Sequence, residues 1–193
     1  TSQKIIEKLI DLKFSRDSLI VSFGGGITTD LAGFVASVYL RGIEVMHIPT
    51  TLLAQVDASV GGKTGVNSKK FKNMIGAFKQ PVAVLIDTYF LKSLSKRHIA
   101  AGYSEIIKHA LIEDKNLLSR LDNFDQNIEK KGNISELSNL IRRSTKIKAD
   151  IVEQDEREKS VRAYLNFGHT FAHAIESVQS FKGLNHGEAV GVG

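Results

Sequence analysis

The run Ser18-Leu19-Ile20-Val21-Ser22-Phe23 passes straight into Gly24-Gly25-Gly26, and Thr28, Thr29 and Asp30 follow. An apolar strand that meets a glycine loop and then helix-capping residues restricts the chain to few architectures. Such a loop lets main chain approach an anion, and the helix behind it offers free N–H groups with partial positive charge. The pattern is GGGxxxD rather than GxGxxG, so it is not the usual dinucleotide fingerprint. A bare strand-to-helix turn gives the same pattern.

The flanking sequence repeats this alternation. Helical spacing of Ile5, Ile6, Leu9 and Ile10 predicts a helix over 4–12, and Thr28 to Asp30 cap one running to about Leu40. Strands are predicted over 43–48, stopped by Pro49, and over 81–86, closed by Asp87. Apolar strands interleaved with helices predict a parallel sheet with α/β order, a Rossmann-like part. From about Leu91 the pattern becomes helical, clearest over 99–112 and 134–152. This predicts an α/β domain over 1–88 and an all-α domain over 89–193. Helical patterns reach both ends without an initiator Met, so the sequence reads as the central piece of a longer protein.

A second loop, Gly61-Gly62-Lys63-Thr64, offers two backbone donors, a cation and a hydroxyl, without the spacing of an ATP-binding P-loop. His169 and His173 stand at i and i+4 on one helix face, and His186 follows within 18 residues of His169. The chain has no cysteine, which excludes disulfides, thiolate metal sites and Cys nucleophiles and predicts a reducing cytoplasm. A metal here would take two imidazoles and a carboxylate, with a position left open for chemistry. Paired helix histidines also occur on surfaces and in satisfied cores. Spacing does not choose the acid among Glu105, Glu153, Glu158, Glu176 and Glu188.

Net charge is +5. Its basic residues are dispersed, and the densest knot, Lys69-Lys70-Phe71-Lys72, is too short to follow a nucleic-acid backbone. An anionic small substrate accounts for the balance as well, and composition alone does not choose. No apolar run reaches the roughly 18 residues of a membrane span. The pair Glu105 and Lys108, and the run from Arg142 through Lys148 and Glu158 to Arg162 and Asn166, read by themselves as ion-paired helix surface.

Together these motifs resemble the 3-dehydroquinate synthase family. The resemblance rests on GGGITTDLAGF at 24–34, PTTLLAQVDASVGGKT at 49–64, Lys72-Asn73, Glu105-Ile106-Ile107-Lys108, Asn166-Phe167-Gly168-His169-Thr170 and His186-Gly187-Glu188-Ala189-Val190, in the family's order. It covers essentially the whole chain, and the long PTTLLAQVDASVGGKT run makes it specific.

The resemblance implies zinc, or cobalt, on Glu105, His169 and His186. It implies NAD along the triple-glycine loop, at Gly25, Gly26, Asp30, Thr50, Thr51 and Asp57, with Lys63, Lys72 and Ser93 nearby. Lys63, Asn73, Arg162, Asn166 and His173 would hold a phosphorylated sugar acid, 3-deoxy-D-arabino-heptulosonate 7-phosphate, with His173 handling a proton. Lys108, Lys148 and Glu158 match further active-site positions. Arg41 matches an arginine that reaches a neighbouring subunit, so a homodimer is implied, without nucleic-acid or membrane partners. The implied chemistry is transient oxidation by NAD, phosphate elimination, reduction, ring opening and intramolecular aldol closure. Ser95 stands where the family usually has Pro, which predicts a local loop change, and a C-terminal substrate lysine of the family has no counterpart here. Competing readings are a sister cyclase making an inosose or valiolone, a metal-dependent alcohol or glycerol dehydrogenase, and an inactive piece that only holds NAD or zinc.

Overall fold

The computed structural model describes residues 1–68, 73–124, 133–179 and 183–193. Its contacts divide into two compact units, Thr1–Thr50 with Ala58–Asp87, and Thr51–Asp57 with Thr88–Gly193.

The first unit contains helices α1 (Ser2–Asp11) and α2 (Gly26–Val38) and strands β1 (Leu19–Gly24), β2 (Glu44–Pro49), β3 (Lys63–Val66), β4 (Ile75–Phe78) and β5 (Ala83–Val84). A parallel sheet runs in the order β1-β2-β5, with Leu19 opposite Glu44 and Gly24 opposite Pro49. Ala36, Tyr39, Ile43 and Val45 form a core beneath it, joined by Ile6, Leu9, Ile20 and Ala32. The Tyr39 hydroxyl donates to the carbonyls of Phe14 at 2.7 Å and Leu9 at 3.2 Å, tying α1 to the end of α2. The turn that follows holds Leu40, Arg41 and Gly42 at φ of 47°, 69° and 121°, a left-handed run that two side-chain-bearing residues adopt only under constraint. Among the described residues β1 lies at a margin of this sheet, and its Leu19, Val21 and Phe23 are 42%, 51% and 59% exposed.

Three expectations change here. The helix predicted to be capped by Thr28 to Asp30 begins at Gly26, with Gly25 as its N-cap. Glycine is itself acceptable at an N-cap, and the Thr29 hydroxyl turns back to the Gly26 carbonyl at 2.9 Å. The strand predicted over 81–86 contracts to Ala83–Val84, although Val82 N and Leu85 N still donate to Val45 and His47 carbonyls of β2. Pro81 has no N–H to add to that ladder. The segment after Gly62, expected as loop, folds as β3, paired antiparallel with β4, while Gly61 and Gly62 keep a left-handed turn. The Thr64 hydroxyl donates to the Ala77 carbonyl at 2.9 Å.

The second unit is helical: most of the π-helical turn Ala54–Ala58, whose last residue belongs to the first unit, then α3 (Lys96–Glu113), α4 (Lys115–Asp122), α5 (Asn133–Gln154), α6 (His169–Val178) and α7 (His186–Val192). Helix α3 packs against α4, α5 and α7, and α6 against α7. Leu52, Ile99, Ile106, Leu137, Leu140 and Ile141 are buried. Two glycines permit close approach. A Cβ at Gly102 would lie 2.7 Å from the Leu53 nitrogen, and one at Gly187 would lie 2.6 Å from the Ala101 Cα. Ser95 caps α3, accepting from His98 N, at a φ of −64° that proline also adopts. Among the described residues, no helix is long and apolar enough to cross a membrane.

Candidate metal centre and its surroundings

Glu105 lies in the middle of α3 with no exposed surface, a costly position for a carboxylate without cationic partners. One partner is its own helix neighbour, the Lys108 ammonium, one turn on. The others come from α6 and α7. His169 Nε2 and His186 Nε2 each lie 3.9 Å from Glu105 Oε1. That separation is too long for a hydrogen bond, yet short enough for one ion with bonds of roughly 2.0 Å to bridge both atoms after a small inward shift of the side chains. One ligand atom from each of the three residues falls within 4.8 Å of the others.

Both imidazoles have acceptors behind them. His169 Nδ1 faces the Phe167 carbonyl at 3.2 Å, and His186 Nδ1 faces Glu176 Oε2 at 3.4 Å. With Nδ1 protonated on each ring, both Nε2 lone pairs point toward the Glu105 side. Burial lowers the His169 pKa to about 4, which keeps the ring neutral and able to coordinate. Burial pushes the Glu105 carboxyl up, and the nearby Asp57 charge adds to this against the opposing pull of Lys108. A cation bound there would reverse that shift. The donor set therefore fits a divalent metal. Gly168, at φ 77°, starts α6 immediately before His169 in a left-handed conformation suited to glycine.

A second cluster adjoins the first. Lys148, from α5, donates to Asp57 Oδ1 at 2.5 Å and to the Asp57 carbonyl at 2.6 Å. Burial alone would raise the Asp57 carboxyl, but the Lys148 and Lys108 charges outweigh it and hold the group well below the usual carboxylate range. Burial lowers the Lys148 ammonium, with Asp57 opposing. His109 completes this cluster. Its Nδ1 bonds Ser144 Oγ at 2.8 Å, and its Nε2 is buried with no hydrogen-bond partner among the described residues. Burial, then the charge of Lys108, lowers its pKa to about 3. Asp57, Glu105 and His109 also meet by spacing, but Asp57 is already paired with Lys148.

The other predicted residues divide as follows. His173 is exposed and stacks 6.3 Å from the His186 ring and edge-on 5.6 Å from His169. Asn166 donates to Glu158 at 2.7 Å. Arg162 is 2% exposed, and its guanidinium donates to the Glu156 carbonyl. Thr51 lies in this unit, its hydroxyl accepting from Ala54 N at 3.2 Å, and Ser93 is exposed in a short helical turn. Gly25, Gly26, Asp30, Arg41, Thr50, Lys63 and Asn73 belong to the first unit. There Thr50 N donates to the Gly24 carbonyl at 2.9 Å, fixing the loop beside the first N–H groups of α2, which no i−4 carbonyl reaches. A Cβ at Gly26 would lie 3.2 Å from that of Ala58, so the loop leaves little room for side chains. Lys63 and Arg41 are exposed, and Asn73, at φ 53°, accepts no strand role. Lys72 lies outside the described residues.

Sequence reasoning overlooked His109, Ser144, Glu176 as a partner of His186, and Arg97. The last forms a two-pronged ion pair with Glu188, 2.6 and 2.7 Å, from the start of α3 to the start of α7. Glu188 closes a capping box with Asn185, the residue before His186. Glu176 stood among the candidate acids, but nothing in the local sequence ties it to His186, ten residues on.

The 3-dehydroquinate synthase N-terminal family model matches residues 1–101, and the C-terminal model of the same family matches 102–193. The chain is 51% identical over 193 residues to the 3-dehydroquinate synthase of Campylobacter concisus (strain 13826), covering all of this chain and 54% of that protein. It is 48% identical over 191 residues to that of Helicobacter pylori (strain G27), covering 99% of this chain and 54% of that protein. The chain thus spans about half the length of the curated relatives it matches. Among solved structures, 2-epi-5-epi-valiolone synthase from Streptomyces hygroscopicus subsp. jinggangensis 5008, with NAD+ and Zn2+ bound, superposes with TM-score 0.89 at 31% identity, covering 98% of this chain and 53% of that one. A 2-deoxy-scyllo-inosose synthase complexed with carbaglucose-6-phosphate, NAD+ and Co2+ gives 0.89 at 33% identity, covering 98% and 52%. A butanol dehydrogenase from Thermotoga maritima shares the fold at TM-score 0.67 and 16% identity, covering 98% of this chain and 52% of that one. Matched over its whole length by the two halves of one family, and 51% identical to a member of it, the chain belongs to the 3-dehydroquinate synthase family.

Proposed function

We propose that the protein carrying this chain is a 3-dehydroquinate synthase acting on 3-deoxy-D-arabino-heptulosonate 7-phosphate, with NAD and a divalent metal, zinc or cobalt. The observation that carries this is the convergence of Glu105 Oε1 with two imidazole Nε2 atoms at 3.9 Å, within a chain of this family. The higher identity to dehydroquinate synthases, 51% against 31–33% for the valiolone and inosose cyclases, favours this substrate over those of the sister enzymes. Similarity to the dehydrogenases extends only to fold.

In this reading residues 1–88 serve the nucleotide and 89–193 the metal and substrate. Glu105, His169 and His186 hold the metal, and the Gly25-Gly26 loop with Asp30 and Thr50 receives NAD, with Thr51, Asp57, Lys63, Lys72 and Ser93 in supporting contacts. The two cofactors supply hydride acceptance and polarisation of substrate hydroxyls. Lys108 and Lys148 place two positive charges beside the metal centre, where they orient and stabilise a polyanionic substrate. His173, beside both ligand rings, is exposed enough to exchange a proton with substrate oxygen. Arg162, Asn166, Glu158, Asn73 and Lys63 complete substrate recognition. A homodimer, with Arg41 serving the neighbouring subunit, and a cytoplasmic location complete the proposal. The absence of cysteine supports the latter.

The deciding assay is phosphate release from the heptulosonate phosphate with NAD, before and after chelation. Release that stops with chelator and returns with zinc is expected. Inertness toward this sugar, with release from hexose or heptulose phosphates of the sister cyclases, would reassign the substrate. Inertness toward all of them would leave a binding protein.

A further inference from the structure

Glu176 is 4% exposed, on the last turns of α6, beside a small core of Ala172, Ala189 and Val190. A carboxylate in such surroundings needs a polar partner, and the His186 ring supplies one at 3.4 Å. This contact is on Nδ1, the nitrogen turned away from Glu105, while Nε2 faces Glu105 at 3.9 Å. The ring thus lies between two carboxylates, one behind it and one ahead. His169 is braced differently, by the neutral carbonyl of Phe167.

We propose that Glu176 is a positioning residue for the metal centre. It fixes His186 in the Nδ1–H tautomer, leaves the Nε2 lone pair facing Glu105, and adds a negative charge behind the ring that strengthens it as a ligand. The inference rests on reading Glu105, His169 and His186 as a metal centre. Carboxylates placed behind ligating histidines typically matter by about 10–100-fold in metal affinity. The asymmetry between the two rings makes His186 the ligand braced by an acidic side chain rather than by main chain.

The test compares wild type, Glu176→Gln, Glu176→Ala and His186→Ala by Zn2+ titration in competition with a chromophoric chelator. In parallel, 15N–1H correlation spectra of the metal-free proteins read the His186 tautomer. Wild type should bind tightly and His186→Ala should lose that affinity. Glu176→Gln, which keeps the volume, should bind about 10–100-fold more weakly with an unchanged unfolding midpoint. Glu176→Ala should shift the metal-free His186 ring away from the Nδ1–H form. A folded Glu176→Gln with wild-type affinity, together with an unchanged tautomer in Glu176→Ala, would overturn the proposal. Wild-type affinity in His186→Ala would instead remove the metal-centre reading, while the tautomer spectra still decide whether Glu176 governs that ring.

Discussion

Lys148 and Asp57, 91 residues apart in sequence, meet with the ammonium 2.5 Å from the carboxylate and 2.6 Å from the same residue's carbonyl. The lysine side chain is 9% exposed and the aspartate 22%, so Lys148 depends more on the pair than Asp57 does. Asp57→Asn should therefore destabilise by about 3 kcal/mol, because it strands a buried ammonium, and Lys148→Met should cost clearly less. Urea unfolding of both variants checks the order. Equal, small losses would mean that the pair behaves as a surface ion pair.

Gly187→Ala places a methyl group against the Ala101 carbonyl and α-carbon, main-chain atoms of α3 that cannot rotate away. We expect about 1–3 kcal/mol of destabilisation from overpacking. Because His186 is the adjoining residue and Glu105 lies one turn beyond Ala101, metal affinity should fall with it by at least about tenfold. A variant that melts lower but binds Zn2+ normally would show that α7 can shift without moving its ligand.

Gly33→Ala tests which of two effects wins in the first unit. Helix propensity favours alanine by about 1 kcal/mol, whereas overpacking costs about 1–3. A Cβ at Gly33 would stand 3.2 Å from Thr64 Cβ and closer to its methyl, and the Thr64 hydroxyl anchors that side chain to the Ala77 carbonyl. Net destabilisation is expected. Adding Thr64→Ser, which deletes the methyl and keeps the hydroxyl, should recover most of it. A stabilised single variant would show that Thr64 swings aside freely.

The pH dependence of the metal-free protein follows from His109. Its folded pKa of about 3 lies below the usual 6.5, so between those values the unfolded chain holds a proton that the folded one refuses. Stability is then fully present above about pH 6.5 and falls as pH drops, by at most about 1.4 kcal/mol per pH unit for this one group. His169, lowered to about 4, acts in the same direction. Denaturation curves at pH 7, 6 and 5 should show a shallower slope for His109→Gln than for wild type. An identical slope would mean that His109 protonates inside the fold.

The elements with strong apolar patterning were legible in sequence: α1, β1, β2, α3 and α5 all lie close to where that patterning predicts. The β3–β4 pair was not, since its strands are four residues each with Gly65 and Gly76 paired across the ladder, leaving no alternating face to detect. Helix α4, eight residues long, carries too few turns to stand out. At the site, His169 and His186 were visible as members of a histidine cluster, but the acid was not. Glu105 reaches them only because α6 and α7 converge on α3, and family resemblance had to single it out. Pairings such as Lys148 with Asp57 or His109 with Ser144 leave no local trace at all, because the fold alone brings them together.

The apolar outer residues of β1 bear on how the protein behaves in a tube. Leu19, Val21 and Phe23 are alternate residues of β1 and share one partly open face of the sheet within these 193 residues. An apolar face of this kind, with no charge within Leu19–Gly24, favours self-association, so preparations limited to these 193 residues should turn turbid as concentration rises. Titrations of its metal centre are therefore best read in the dilute regime, where loss of colloidal stability cannot pass for loss of binding.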